Sequence, residues 1–130
     1  MQEKSLNRQW YKELKQSELT PPSYVFGIVW SFLYFLMALY FIFALPLKGS
    51  QYGILYFMIQ LIVNLSWTYV FFRKKKYILA FWMIIFMLIF TLLSMWEIYK
   101  LNKLIPLLLV PYILWLSLAG YLNLFIVINN

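Results

Sequence analysis

The chain has 130 residues, of which 65% are hydrophobic and 12% charged, and its eleven Lys and Arg against four Asp and Glu give a net charge of +7. With long apolar runs this is the composition of an integral membrane protein, and the length permits one compact bundle. The absence of cysteine excludes a disulfide framework, a thiolate metal site and a cysteine nucleophile; the absence of histidine removes the commonest general base and haem or metal ligand.

Residues 1–20 are polar and mixed in charge, and no apolar core follows their first basic residues before Pro21, so they do not read as a signal peptide. They form a cytoplasmic N-terminal segment ahead of a transmembrane domain over residues 21–130. The first span is predicted from Ser23 to Leu45, stopping at Pro46. It carries Trp30 and Tyr34 at i, i+4, and Gly27-x-x-x-Ser31, a small pair expected at a close helix approach. The second, Tyr52 to Phe72, holds Gln60-x-x-x-Asn64-x-x-Trp67 on one stripe. An amide in lipid is costly without a partner, so Asn64 is the foremost functional candidate. The third span runs from Tyr77 to Tyr99. The fourth runs from Leu104 to Ile128, with Pro106 in its first turn, Pro111 expected to kink it, and Trp115, Ala119 and Asn123 along one stripe. Each span has the ~20 residues needed to cross a bilayer. The connections Pro46 to Gln51, Arg73 to Lys76 and Lys100 to Lys103 are short, which makes neighbours antiparallel. The expected fold is an all-α, up-down bundle of four transmembrane helices.

Lys4, Arg8, Lys12 and Lys15, with Arg73 to Lys76, place eight positive residues on one side; Lys48, Lys100 and Lys103 place three on the other. The positive-inside rule then puts both termini in the cytoplasm, and the basic excess reads as a topology signal, not a nucleic-acid surface. Trp82, Trp96, Tyr69, Tyr77 and Tyr99 fit an interfacial aromatic belt. Trp30 and Trp115 lie too deep for one, at roughly 8 and 13 residues from the cytoplasmic side at 1.5 Å per residue; they either line a pocket, the favoured reading, or pack helices together. A pocket of indoles and amides suits a flat apolar ligand, with stacking that adds about 0.5–1.5 kcal/mol per aromatic pair beyond area burial. In it Asn64 supplies an orienting polar contact, and Lys12, Lys15 or Arg73 would pair with any ligand carboxylate at the interface.

Trp10-Tyr11, Thr20-Pro21-Pro22 and Phe26-Gly27-x-Val29-Trp30-x-x-x-Tyr34 resemble the signature of the TspO/MBR family, the tryptophan-rich sensory and translocator proteins. Gln60-x-x-x-Asn64-x-x-Trp67 with Phe71-Phe72 resembles its next block. Pro111-Tyr112-x-x-Trp115-x-Ser117-x-Ala119-x-x-Leu122-Asn123 resembles its last helix. The resemblance implies a membrane receptor, sensor or transporter-like protein, often a homodimer, that binds porphyrins and related hydrophobic ligands and takes part in tetrapyrrole or sterol handling and stress signalling. A porphyrin would be a ligand and not a cofactor. Tyr11, Trp30, Tyr34, Asn64, Trp115 and Ala119 match family pocket positions, and we add Gln60 and Trp67 from their stripe. Some bacterial members are reported to promote light-dependent porphyrin degradation, and Trp30 and Trp115 match the tryptophans implicated. Ordinary acid–base catalysis is disfavoured, with no histidine and four carboxylates.

The family bundle has five helices, so this chain is expected to lack the first, with residues 1–20 standing where the family's first loop stands. The loop's usual proline and tryptophan are Ser17 and Leu19 here. The tyrosine and arginine of the proposed animal cholesterol motif are Leu124 and Ile128. Two other functions compete with the pocket reading. One is a structural or assembly subunit that binds only protein. The other is a small proton-coupled exporter, which needs an ionisable residue deep in the membrane; the only candidate is Glu97, near the extracytoplasmic end of the third span. Asn64 is expected to face the ligand, so that Asn64→Ala weakens binding and leaves the empty protein nearly as stable.

Overall fold

A computed structural model describes residues 23–70 and 77–129. Within them the chain forms α1 (Ser23–Ala44), α2 (Gln51–Tyr69), α3 (Tyr77–Tyr99), a 3-10 turn (Ile105–Leu109) and α4 (Val110–Asn129). The four expected helices are present, and the architecture is all-helical. Residues 1–22 and the end of the second span with the Arg73 to Lys76 connection lie outside the described residues.

Among the described residues three segments are, by length and composition, apolar enough to cross a membrane: Tyr24–Ala44, Tyr77–Tyr99 and Ile105–Ile128. The second helix is not among them, because Gln51, Gln60, Asn64 and Ser66 dilute its apolar character. Its two mid-helix amides do not face lipid: Gln60 and Asn64 are both 0% exposed. Both ends of the Asn64 amide and the Gln60 oxygen find partners inside the protein, which offsets much of the cost of holding amides in a bilayer.

The buried positions repeat every three and four residues. They are Leu33, Met37, Tyr40 and Ala44 on α1; Phe57, Gln60, Asn64 and Trp67 on α2; and Ala80, Ile84, Met87, Thr91, Ser94 and Ile98 on α3. That spacing gives each helix one continuous inner stripe and suits the shallow crossings of a bundle. The outer faces are as apolar as the inner ones, with Phe32, Phe35, Ile62, Leu65, Ile78, Ile89 and Leu114 exposed, as lipid contact requires.

Helices α2 and α3 pack most extensively, α3 and α4 next. Gly53 allows the first of these contacts: a Cβ there would stand 2.6 Å from the Ile98 Cδ1. The Ser94 hydroxyl donates to the Gly53 carbonyl at 2.7 Å and shares a 2.7 Å hydrogen bond with the Tyr40 hydroxyl, tying three helices at this level. Asn123 donates to the Tyr77 carbonyl at 2.8 Å and holds α4 to the start of α3. Gly27 and Ser31, expected at a close helix approach, are not at one. Both are exposed, a Cβ on Gly27 would meet nothing within 4 Å, and the Ser31 hydroxyl donates to the Gly27 carbonyl of its own helix at 2.8 Å.

The connection between α1 and α2 turns on Gly49, whose φ of 93° lies in the left-handed region that glycine adopts without strain. Between α3 and α4 the Asn102 carboxamide oxygen accepts from the Leu104 and Ile105 amides at 2.9 and 3.1 Å. Pro106 then occupies the first turn. The expected influence of Pro111 appears as a change of helix type. Val110 donates to the Leu107 carbonyl in 3-10 fashion, and α geometry begins there, one residue before the proline that cannot donate.

Candidate ligand site

Helices α1 and α2 are joined by a short connection, yet their backbones make few close approaches; α1 runs closest to the 3-10 turn instead. Large aromatic side chains fill the space between α1 and α2. Trp30 stands at its centre. Its ring lies 5.7 Å from Tyr34, 6.2 Å from Trp67, 6.4 Å from Tyr112 and 6.3 Å from Trp115. The last two contacts are edge-on, and Phe26 meets the far side of Trp115 edge-on at 5.3 Å. Offset and edge-on pairs at these separations are favourable, and each ring fixes the plane of the next.

Behind the rings runs a chain of buried polar groups. The Tyr34 hydroxyl donates to Asn64 Oδ1. Asn64 Nδ2 donates to the Tyr112 hydroxyl at 2.8 Å, and that hydroxyl donates to Gln60 Oε1 at 2.6 Å, with the Met87 sulfur 3.8 Å away. One network thus links α1, α2, α3 and α4. Both ends of the Asn64 amide are engaged by protein, which meets the demand that a buried amide be satisfied.

The residues singled out in the sequence fall into three groups. Trp30, Tyr34, Trp67 and Trp115 meet in the aromatic cluster, with Gln60 and Asn64 as its polar backing. Ala119 is buried one turn beyond Trp115 on α4. Tyr11, with Lys12, Lys15 and Arg73, lies outside the described residues. Trp82 and Trp96 point away from the bundle, each 61% exposed, as interfacial residues do. Sequence reasoning passed over Tyr112, Phe26 and Met87 as site residues. Tyr112 had a usable signal: it is three residues before Trp115 and four before Leu116, on the same face. Glu97, the carboxylate an exporter would need, pairs with Lys100 at 2.6 Å near the end of α3. Both are partly exposed, which is the pattern of a helix-end ion pair.

These features define a multi-pass helical membrane protein with a tryptophan-centred cluster between two helices. The sequence matches the TspO/MBR family over residues 1–128, and the chain belongs to that family. It is 35% identical over 115 residues to the tryptophan-rich sensory protein of Cereibacter sphaeroides, covering 88% of this chain and 73% of that protein. It is 34% identical over 118 residues to the tryptophan-rich protein TspO of Chlorobaculum tepidum, covering 88% and 75%. To the translocator protein homolog of Schizosaccharomyces pombe it is 34% identical over 125 residues, covering 90% and 75%.

Proposed function

We propose that this protein is a membrane receptor or sensor that binds flat hydrophobic ligands of the porphyrin class between α1 and α2. The observation that carries the reading is the Trp30 cluster. Four aromatic rings lie within 6.4 Å of one indole, in a region where two sequential helices stand apart. A macrocycle entering that space would exchange ring–ring contacts for contacts of the same kind and bury its own apolar surface. In this reading Trp30, Tyr34, Trp67, Trp115 and Ala119 line the ligand, while Gln60 and Asn64 hold the lining in place. The names of the relatives, tryptophan-rich sensory protein among them, agree with a sensory role. We propose further that both termini are cytoplasmic and that the protein pairs as a homodimer in the bilayer.

Titration of the purified protein with protoporphyrin IX tests the reading. Saturable quenching of tryptophan fluorescence is expected. Quenching that rises linearly with porphyrin and never saturates would leave the assembly-subunit function in its place.

A further inference from the structure

The polar group left for a ligand is not Asn64. Trp115 Nε1 is buried and has no hydrogen-bond partner, and neither has Gln60 Nε2. An indole nitrogen is a donor only. Its ring is held edge-on between Phe26 and Trp30, so its direction is set by packing. The neighbouring polar groups do not relieve it. Donation along the network runs one way, from Tyr34 to Asn64, from Asn64 to Tyr112 and from Tyr112 to Gln60. Every acceptor in that chain already takes one bond and none takes one from Trp115, and the chain ends on a second orphan donor. A buried N–H without an acceptor is costly in a low-dielectric interior, and whatever supplies an oxygen recovers that cost.

We propose that the ligand of this pocket presents a neutral acceptor, a carbonyl oxygen by class, to the Trp115 indole N–H; the proposal rests on the pocket reading above. Depth, where an ionised oxygen is costly to desolvate, and the described residues favour a neutral group. The described basic residues Lys48, Lys100 and Lys103 stand in or beside the two described connections. Lys103 is roughly three helical turns along the chain from Trp115. An ionised oxygen at Trp115 would give up water without gaining a counter-charge from them. Trp115 is then a specificity-determining residue: the rings accept any flat apolar molecule, and the indole N–H selects those with an oxygen in register.

Two porphyrins separate the possibilities. Mesoporphyrin dimethyl ester carries ester carbonyls; etioporphyrin has the same macrocycle with alkyl groups only; both are uncharged. Each is titrated into the purified full chain, wild type and Trp115→Phe. The variant should lose roughly threefold to tenfold more affinity for the ester than for etioporphyrin, the scale of one net hydrogen bond, any loss common to both being the stacking that Trp115 gives each. Equal losses for both would show that Trp115 acts by stacking alone and would overturn the proposal. If the variant changes neither, the pocket stands and the acceptor falls. If wild type binds neither porphyrin, the pocket reading fails and takes this inference with it. Should the variant not fold, nitrogen–proton correlation spectra of wild type decide. Among the six tryptophan indole signals, one should move downfield with the ester and not with etioporphyrin. No such movement would also overturn it.

Discussion

Asn64 accepts from Tyr34 and donates to Tyr112, so a single side chain on α2 holds α1 and α4. This changes what its removal should do. The sequence marks Asn64 as a polar residue at pocket depth, and from depth alone a ligand contact is the natural expectation. Which partners an amide finds depends on how neighbouring helices are turned, and that is not written in the spacing of one helix. We therefore expect Asn64→Ala to lower the melting temperature of the ligand-free protein. Two intramembrane hydrogen bonds at about 0.6 kcal/mol each suggest a loss near ~1 kcal/mol. Tyr112→Phe removes the hydroxyl that serves both Asn64 and Gln60, and the same melting experiment should show a comparable loss. An unchanged melt for Asn64→Ala, with ligand binding abolished, would return Asn64 to the ligand.

At the level of the helices, span number and approximate bounds are legible because apolar runs of bilayer length have few alternatives. Helix faces are less so. In a water-soluble helix the polar side marks the outside; here inner and outer sides are both apolar, and only small or hydrogen-bonding residues hint at contacts. Gly27 and Ser31 fit that hint and lie on the outer face; Gly53, four residues after Gly49 of the connection, is the glycine where an added Cβ would meet its nearest neighbour. A paired substitution tests this assignment. Gly53→Ala should destabilise by about 1–3 kcal/mol through overpacking against Ile98, and Ile98→Ala in the same chain should recover part of it. Gly27→Ala, with open space around the new methyl, should cost no stability. Thermal unfolding in one detergent compares all four proteins. Equal losses for Gly27→Ala and Gly53→Ala would contradict the packing described.

For the molecule as a whole, the fold and family are recoverable from ordered sequence blocks. The convergence of Trp30, Trp67 and Trp115 on one space, with Trp82 and Trp96 outside it, was only partly so. Depth separates Trp30 and Trp115 from the interfacial belt. It does not separate Trp67 from Trp82, which lie at similar distances from the membrane edge and face opposite ways. The eight-to-three bias of Lys and Arg predicts cytoplasmic termini. A reporter fused at Asn130 should accordingly read out as cytoplasmic, and an extracytoplasmic signal would refute that orientation. The central claim is that ligand enters the aromatic space around Trp30. Porphyrin quenching of tryptophan fluorescence tests it most directly when wild type is compared with the Trp30→Phe/Trp115→Phe variant. The phenyl rings keep an aromatic side chain at both positions; Trp67 remains beside the site, and Trp82 and Trp96 remain as distant reporters. Saturable quenching is expected in wild type, and most of it should be lost in the variant. Undiminished saturable quenching in a folded double variant would place the ligand elsewhere and contradict that claim.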